Sequence, residues 1–456
     1  MSFKISIPEN AQRLIRLLGE QGHTAYVVGG CVRDSLMGRV PHDWDICTSA
    51  TPQQMLEIFK GIRVIETGLK HGTVTAVIDG EQYECTVYRI DGEYTDNRRP
   101  DKVTFTDDIT EDLKRRDFTV NAMAYNCTDG LADPFDGIGD IERRIIKCVG
   151  SPAERFNEDA LRIMRAVRFS ARLGFDIDQE TALAMNSLSK NLSKISKERI
   201  RSELWGIMNS PSCEKIAELI CGFLPVFTEI IPEIGDMAGF EQNNPHHDFD
   251  VLYHTLNALK GCESADPVTR LAVLLHDIGK PRCFQDDDDG TRHFRGHGKI
   301  STEMADEIMQ RLRFDNETRH KVCQLVCYHD SVIEDAPKYV RKWLNKIGAE
   351  QFFRLLDVKT ADTKGQKADF DRERTEKISR IRALAEEILE EKQCFDLKAL
   401  EISGKELIDI GYAPGKKLGD TLKLLLDEVM NGTIPNEREV LLEKAQSIAD
   451  INLKTK

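Results

Sequence analysis

The sequence predicts an α+β protein, in which a mixed α/β unit with a small mixed sheet is followed by helices up to the C-terminus. Short apolar runs that end in glycine or aspartate lie mainly in the first 150 residues, a pattern typical of strands and turns. From Pro152 onward, apolar residues recur at helical spacing. Histidine marks a further boundary, because eight of the 11 histidines lie in the 84 residues between His246 and His329. We therefore expect four domains, at residues 1–150, 151–240, 241–375 and 376–456.

Apolar periodicity and turn residues define the elements of the first domain. In order, the sequence predicts a helix over 8–22, a strand over 24–30, a short helix that begins near Arg33, a strand over 44–50, a helix over 51–61, and strands over 72–80 and 83–90. The helix over 51–61 begins with Thr51 and Pro52, which are a capping residue and a first-turn residue. A turn at Asp79–Gly80 joins the last two strands into a hairpin. Later, a polar loop with four consecutive aspartates covers 285–298, and a last helical unit starts at Leu400 after a charged helix over 380–393.

Composition narrows the class of protein. The chain has 456 residues, of which 40% are hydrophobic and 31% charged, so it is globular and long enough for several cores. No apolar run reaches the roughly 20 residues of a membrane span, and residues 1–18 lack the apolar core of a secretion signal. The 12 cysteines include no C-x-x-C pair, which favours reduced core residues over disulfides or a zinc ribbon. We expect a soluble, cytoplasmic protein with no membrane partner.

The charge is uneven along the chain. The net charge of −14 argues against a protein coated in nucleic acid, yet residues 143–201 contain 13 Lys and Arg against 7 Asp and Glu. A locally basic stretch in an acidic protein suits a focused groove for a polyanion. The alternative is that these basic residues only solvate the surfaces of helices.

A glycine turn and two aspartates suggest phosphate and metal chemistry. Gly29 and Gly30 end a strand just before a helix, where backbone N–H groups favour phosphate. Asp43 and Asp45 alternate in a predicted strand, so both carboxylates would project to one side. Two carboxylates that share a face suit Mg²⁺, and together with a phosphate site they indicate metal-assisted phosphoryl or nucleotidyl transfer. The alternative is a solvated Asp-x-Asp edge.

Five ordered motifs between about residues 20 and 210 resemble one family. They are Gly29-Gly30-x-x-Arg33-Asp34 with Asp43-x-Asp45, "YTDNRRP" (94–100), "RRDFTVNAMAY" (115–125), "EDALRIMRAVRFSARLGF" (158–175) and "ISKERIRSELWGIM" (195–208). The set resembles the polymerase-beta-type nucleotidyltransferases, and more narrowly the bacterial class II tRNA nucleotidyltransferases and their poly(A) polymerase relatives. The resemblance implies a nucleotidyltransferase head followed by all-α neck and body, HD and tail domains.

The resemblance also implies roles for residues of the head. Asp43 and Asp45 would hold Mg²⁺ with a third acidic residue, for which Glu84 is the candidate; Glu84 could equally be an ordinary outward-facing strand residue. Gly29, Gly30 and Arg33 would hold the triphosphate. Arg115, Arg116, Asp117 and Asn121 would contact the phosphates and sugar of the incoming nucleotide, although Arg115 could also be general surface charge.

A template-free choice of base follows from hydrogen-bond chemistry. Helical spacing predicts that Asp159, Arg162 and Arg165 share one side of a helix. Cytosine and adenine both offer an amine beside an unprotonated ring nitrogen, so a carboxylate and a guanidinium can accept both bases and reject uracil and guanine. The resemblance assigns this selection to Asp159 and Arg162, and we add Arg165 and Arg168 of the same motif to the nucleotide site. A surface salt bridge is the alternative.

The expected reaction is addition of CCA to the 3′ end of tRNA from CTP and ATP by two-metal nucleotidyl transfer. The stretch "DGEYTDNRRPDKV" (91–103) is kept in CCA-adding and A-adding enzymes of the family, so addition of A alone stays open, as does a poly(A) polymerase. The basic helices would guide the tRNA acceptor and TψC arm, mostly through phosphates and helix shape. Lys405, Lys416 and Lys417 would reach the far end of that arm, and the oligomeric state is left open.

The histidine-rich region predicts a second metal site. His254, His276-Asp277 and a distant Asp362, with Asp357 as the fallback, resemble the HD-superfamily metal-dependent phosphohydrolases, and imidazole with carboxylate suits a divalent or transition metal. His297 and His329 could complete a phosphate site or a second-metal site, or be ordinary surface or core histidines. The HD activity could be the principal one, or this domain could be a structural relic. A non-enzymatic RNA-binding scaffold is a third reading.

Overall fold

The computed structural model describes residues 4–92, 103–243, 249–366, 368–391 and 393–454. Contacts within it divide the chain into two compact units, Met1–Gly235 and Asp236–Lys456. The predicted α+β class is confirmed, because a small mixed sheet lies in the first unit and helices form most of the remaining chain. The finer division into four domains stays a prediction.

The first unit contains the sheet and the helices that follow it. Its strands are β1 (Ala25–Val28), β2 (Ile46–Thr48), β3 (Arg63–Ile65), β4 (Thr73–Ile78), β5 (Glu81–Val87), β6 (Arg89–Asp91), β7 (Val103–Phe105), β8 (Ala124–Asn126), β9 (Gly130–Ala132), β10 (Ile145–Ile146) and β11 (Asp176–Ile177). Its helices are α1 (Glu9–Glu20), α2 (Gly30–Leu36), α3 (Pro52–Ile58), α4 (Ile109–Lys114), α5 (Gly137–Arg143), α6 (Pro152–Glu158), α7 (Leu161–Leu173), α8 (Gln179–Leu188), α9 (Lys197–Met208), α10 (Cys213–Gly222), α11 (Leu224–Ile230) and α12 (Glu233–Met237), which ends two residues beyond the boundary.

Seven strands form the main sheet in the order β3-β4-β5-β2-β1-β8-β9. The pairing of β2 with β5 is parallel and the other pairings in this sheet are antiparallel. The predicted hairpin of β4 and β5 is confirmed, and its two turn residues, Asp79 and Gly80, have φ values of 53° and 84°, as a tight hairpin turn requires. The predicted cap of α3 is also confirmed, because the Thr51 side chain accepts from the Gln54 N–H.

The core lies on both faces of this sheet because side chains alternate along each strand. Val27 of β1 packs in a cluster with Leu14 and Leu18 of α1. Its neighbour Val28 packs on the opposite face with Tyr88 and Leu113. The sheet is therefore buried on both sides at β1, and this packing holds the turn after β1 in position.

Two predicted elements are shorter than expected. The strand predicted over 44–50 is β2, which starts at Ile46. Asp43 and Asp45 therefore lie before the strand, and the alternation of side chains along a strand does not determine where the Asp43 carboxylate points. The helix predicted to carry Asp159, Arg162 and Arg165 is broken at Asp159, whose φ and ψ are −142° and 101°. The Asp159 carboxylate accepts from the N–H of Leu161, as aspartate commonly does before a helix.

The second unit is helical. Its helices are α13 (Val251–Lys260), α14 (Pro267–Leu275), α15 (His297–Arg311), α16 (Asn316–Tyr328), α17 (Pro337–Ile347), α18 (Ala349–Lys364), α19 (Ala368–Glu390), α20 (Gly404–Asp409), α21 (Lys416–Asn431) and α22 (Arg438–Lys454), with a short ribbon of β12 (Gln285–Asp286) and β13 (Arg292–His293). Helix α18 packs against α13, α14, α16 and α19. The last helices enclose a separate apolar cluster that includes Leu407, Leu425 and Leu441. None of the helices in the described ranges has the length and apolar content needed to cross a bilayer.

Candidate functional site

The turn after β1 needs glycine at its first position. Gly29 has a φ of 80°, in the region that favours glycine. A Cβ atom built on Gly29 would lie 3.2 Å from Nη1 of Arg116 and 3.7 Å from the backbone oxygen of Asn121. Gly29 therefore lets a guanidinium approach the backbone directly beside the start of α2.

Two acidic residues, Glu84 and Asp43, act on the carboxyl group of Asp45 next to this turn. Ile46 of β2 is in register with Cys85 of β5, which places the preceding residues, Asp45 and Glu84, side by side. Removal of water by the surrounding protein and the charges of Glu84 and Asp43 raise the pKa of Asp45, while Arg116 opposes the shift. A carboxylate whose pKa is raised by neighbouring carboxylates is a favourable ligand for a divalent cation, which relieves the repulsion. The three acidic residues predicted from the sequence are thus electrostatic neighbours.

A buried polar network joins the glycine turn to α7. Arg33, of which only 4% is exposed, donates to Oδ1 of Asn121, and Asn121 donates to Asp117 at 3.2 Å. Oδ2 of Asp117 accepts from Nε and Nη2 of Arg165 at 2.8 and 2.6 Å. Burial would raise the pKa of Asp117, but the charge of Arg165 and these hydrogen bonds lower it to about 2. Four of the predicted nucleotide-binding residues therefore form one fixed assembly.

Asp112 holds two further predicted residues and was not identified from the sequence. Its side chain is completely buried, and Oδ1 accepts from Nε and Nη2 of Arg115 at 2.9 and 2.7 Å. Oδ2 accepts from Nη2 of Arg116 at 3.2 Å. The sequence signal that could have identified Asp112 is its spacing of three and four residues from the two arginines in "DLKRR". Asp112 thereby fixes the guanidinium that reaches Gly29.

The residues predicted to select the base are bound to other partners. Oδ2 of Asp159 accepts from Nη2 of Arg199 at 2.6 Å. Arg162 donates to Glu158 at 2.6 Å and to the backbone oxygen of Arg115 at 3.1 Å. Because Asp159 precedes α7, it does not share a helical face with Arg162, and the predicted pair on one helix is wrong in that respect. Arg199 lies in a motif quoted above, but its partner depends on the packing of α9 and could not be read from spacing.

Arg168, another predicted nucleotide-binding residue of α7, contacts an acidic side chain and an aromatic ring. Its Nε donates to Oε2 of Glu203 at 2.5 Å, and its guanidinium lies 4.3 Å from the centre of the Phe169 ring. Arg33 also lies over this ring, at 5.4 Å. The element predicted to affect product identity, 91–103, lies largely outside the described residues, since 93–102 are not described.

In the second unit, the four predicted metal ligands meet. Nε2 of His254 lies 3.4 Å from Nε2 of His276, 3.3 Å from Oδ2 of Asp277 and 3.0 Å from Oδ1 of Asp362. His276, which follows α14, lies 3.2 Å from Asp277 and 3.5 Å from Asp362. The fallback residue, Asp357, accepts from Arg382 instead. His254, His276 and Asp277 are buried and form a group that can hold a metal ion.

The buried charges of this cluster stabilise one another. Burial would lower the pKa of His276, but Asp277 and Asp362 raise it to about 10. They raise the pKa of His254 as well, again against the effect of burial. The fully buried carboxylate of Asp277 and the partly buried one of Asp362 need a positive charge beside them, which protons on the histidines or a metal ion can supply.

Comparisons with known proteins agree with this geometry. A family model described as "Poly A polymerase head domain" matches residues 25–147, a "Probable RNA and SrmB- binding site of polymerase A" matches 174–235, and a "tRNA nucleotidyltransferase domain 2" matches 293–445. Together with the acidic group beside the glycine turn, they define a nucleotidyltransferase with a poly(A) polymerase-type head. Such enzymes depend on a divalent metal ion.

Whole-chain relatives narrow the class. A CCA-adding enzyme of Lactobacillus johnsonii is 33% identical over 433 residues, which cover 94% of this chain and 95% of the relative. One from Lactobacillus gasseri is 34% identical over 430 residues, with the same coverage. The crystal structure of the Bacillus stearothermophilus CCA-adding enzyme in complex with CTP matches with a TM-score of 0.71 and 28% identity, and covers 98% of both chains. The chain belongs to the CCA-adding enzyme family, as the motifs in its first 210 residues indicated.

Proposed function

We propose that this protein adds cytidine and adenosine to the 3′ end of tRNA, from CTP and ATP and without a nucleic-acid template. The observation that carries the proposal is the fixed assembly of Arg33, Asn121, Asp117 and Arg165 beside Asp45, whose pKa is raised by burial and by the charges of Glu84 and Asp43. Such a site offers phosphate-binding cations and metal-binding oxygens at adjoining positions. A reaction on tRNA with these nucleotides belongs in the cytoplasm.

The proposed metal ligands are Asp43, Asp45 and Glu84, and their hard oxygen donors fit Mg²⁺. Bound there, Mg²⁺ would assist attack by the RNA 3′-hydroxyl and stabilise the departing pyrophosphate. Arg116, held by Asp112 at the edge of Gly29, neutralises phosphate charge next to the backbone of α2. Asp117 and Asn121 are the proposed partners of the ribose hydroxyls.

Base selection requires a local exchange of partners. In the structure, Asp159 is bound to Arg199 and Arg162 to Glu158, and both side chains are largely buried. A cytosine or adenine would replace part of these contacts with its amine and ring nitrogen. Arg199 would then orient the Asp159 carboxylate from behind. The basic residues in 143–201 would hold the acceptor and TψC arm through its phosphates.

Sequencing of product 3′ ends tests the proposal. Three tRNA substrates would end at the discriminator base, at C, or at CC, each incubated with CTP and ATP. We expect all three to finish as CCA. One adenosine added only to the CC substrate would mean an A-adding enzyme, and long adenosine runs would mean a poly(A) polymerase.

A second candidate function for the second unit is metal-dependent hydrolysis of phosphate esters. It is favoured by the buried group of His254, His276, Asp277 and Asp362, which resembles the HD pattern and fits a transition-metal ion. Release of phosphate from a 3′-phosphorylated RNA end by the wild-type protein, and its loss in His276→Ala, would test this function.

A further inference from the structure

One aromatic ring of α7 has three arginine side chains over it. The guanidinium carbons of Arg168, Arg165 and Arg33 lie 4.3, 5.4 and 5.4 Å from the centre of the Phe169 ring. A guanidinium within about 6 Å of a ring centre is attracted by the negative face of the ring, and such contacts occur about once in 70 to 80 residues. Three of them at Phe169 therefore gather an unusual amount of positive charge around one side chain.

The Phe169 ring connects two helices of the first unit and is itself held in place. Arg33 belongs to α2, which follows the glycine turn, whereas Arg165 and Arg168 belong to α7. Phe169 is only 7% exposed, and its ring packs edge to face with the Phe118 ring, with 5.8 Å between the ring centres. The arginines of both helices are thus arranged around a ring that has little freedom to move.

Each of the three guanidiniums also has a carboxylate of its own, which offsets the repulsion among the three positive charges. The pairs are Arg33 with Asp34, Arg165 with Asp117, and Arg168 with Glu203. A Cβ atom built on Gly206 of α9 would clash with Cδ of Arg168, so the missing side chain at Gly206 leaves room for Arg168. The ring, the carboxylates and the packing of α9 together fix the positions of these arginines.

Several N–H groups of two of these arginines are left for a ligand. Arg165 uses Nε and Nη2 to bind Asp117, and Arg168 uses only Nε to bind Glu203. Within the described part of the chain, Nη1 of Arg165 and both Nη atoms of Arg168 have no hydrogen-bond partner. The side chains of Arg165 and Arg168 are 34% and 16% exposed, so a ligand can reach them. Paired guanidinium N–H groups suit phosphate oxygens.

We infer that Phe169 is a positioning residue for the triphosphate of the incoming nucleotide, because its ring holds Arg33, Arg165 and Arg168 where their free N–H groups bind the phosphates. This inference rests on the nucleotidyl transfer proposed for the first unit. Phe169 acts through the arginines and does not itself touch the nucleotide. Since the phosphates carry charge and the nucleoside does not, loss of the ring should weaken binding of the β- and γ-phosphates and spare the rest of the nucleotide.

Equilibrium binding of CTP and CMP, measured by calorimetry with Mg²⁺ and without RNA, tests this inference. Phe169→Leu keeps an apolar side chain but removes the ring. We expect its Kd for CTP to rise about tenfold and its Kd for CMP to change by less than about twofold, since each partly buried cation–π contact contributes a severalfold change in affinity. Phe169→Tyr keeps the ring and should bind both nucleotides as the wild type does.

The matched control is Phe175→Leu. Phe175 is another buried ring of the first unit with an arginine over it, Arg144 at 5.4 Å, but Arg144 is not among the proposed nucleotide ligands. Its substitution should leave the ratio of the CTP and CMP affinities unchanged. A general loosening of the fold would weaken both nucleotides equally, so this ratio separates a positioning role of Phe169 from a purely structural one.

The outcomes separate this inference from the proposed function. An unchanged affinity for CTP, or equal losses for CTP and CMP, in a Phe169→Leu protein with a native circular dichroism spectrum would overturn the inference; Phe169→Met, with a more adaptable side chain, gives the same test if the leucine variant does not fold. Wild-type protein that binds CTP no more tightly than CMP would overturn it as well. Selective loss of CTP affinity in a protein that adds no nucleotide to tRNA would uphold the role of Phe169 and overturn the proposed function.

Discussion

Asp117→Asn removes one charge from the centre of the network that joins the glycine turn to α7. Only 8% of Asp117 is exposed, and Arg165 and Asn121 lower its pKa from 3.8 to about 2. A depression of this size corresponds to about 2 kcal/mol of stability at neutral pH, since one pKa unit is worth about 1.4 kcal/mol. Asparagine keeps the shape of the side chain, so the loss reports the charge.

The sign of the pH dependence follows from the direction of the shift. Because the folded pKa is depressed, the contribution of Asp117 is fully present above pH 3.8 and is lost as the pH falls towards about 2. Urea unfolding of wild type and Asp117→Asn should thus differ by about 2 kcal/mol at pH 7 and converge below pH 3.8. The matched control is Asp176→Asn, at an ion pair with Lys215 in which the acid is 84% exposed, and it should have no measurable effect. Equal stability of wild type and Asp117→Asn at pH 7 would refute this account of the network.

Three further substitutions probe separate parts of the site. Gly29→Ala places a Cβ 3.2 Å from Arg116 at a φ of 80°, so kcat/KM for nucleotide addition should fall at least tenfold. The control Gly22→Ala is at a φ of 82° with open space around it, so it should cost about 1 kcal/mol of stability but leave kcat/KM unchanged. Equal effects of the two substitutions on kcat/KM would contradict the role of the close approach of Arg116 to Gly29. Glu84→Gln removes a charge that raises the pKa of Asp45, so the acidic limb of the pH–rate profile should move to lower pH. The control Glu81→Gln, on the same strand, should leave this limb in place. An unmoved limb in Glu84→Gln would exclude electrostatic coupling between Glu84 and Asp45. Arg199→Ala releases Asp159, so incorporation of UTP relative to CTP should rise severalfold. Substitution of the exposed Arg172 by alanine is the control. Unchanged base selectivity in Arg199→Ala would show that Arg199 has no part in base selection.

Local patterns in the sequence predicted much of the first unit. The β4–β5 hairpin follows from alternation around Asp79–Gly80, and the start of α3 follows from Thr51, since both depend on residues next to one another in the chain. The break at Asp159 was missed because apolar spacing continues through it. The preference of aspartate for positions just before a helix was the competing factor.

The sequence motifs named residues of the candidate site but not the contacts among them. Arg33, Asp117, Asn121 and Arg165 were named from motifs, but their connection depends on α7 packing beside the turn, which no local pattern encodes. Long arginine side chains choose partners from the tertiary structure, so the pairing of Asp159 with Arg199 could not be foreseen.

The histidine cluster shows the same limit in the second unit. His254, His276 and Asp277 follow a recognisable pattern. Asp362 and Asp357 are five residues apart on α18 and therefore point in different directions around its axis, so the choice between them depends on how α18 packs. The convergence of His297 and His329 on Asp277 needs the ends of α15 and α16 to meet. Spacing in the sequence does not fix that meeting.

Single-turnover incorporation of labelled CMP into a tRNA that ends at the discriminator base tests the central claim most directly. The account places nucleotidyl transfer at the carboxylates of the first unit, so Asp45→Asn should reduce the rate at least a thousandfold while His276→Ala retains the wild-type rate. Normal incorporation by Asp45→Asn, or its loss in a folded His276→Ala protein, would contradict it.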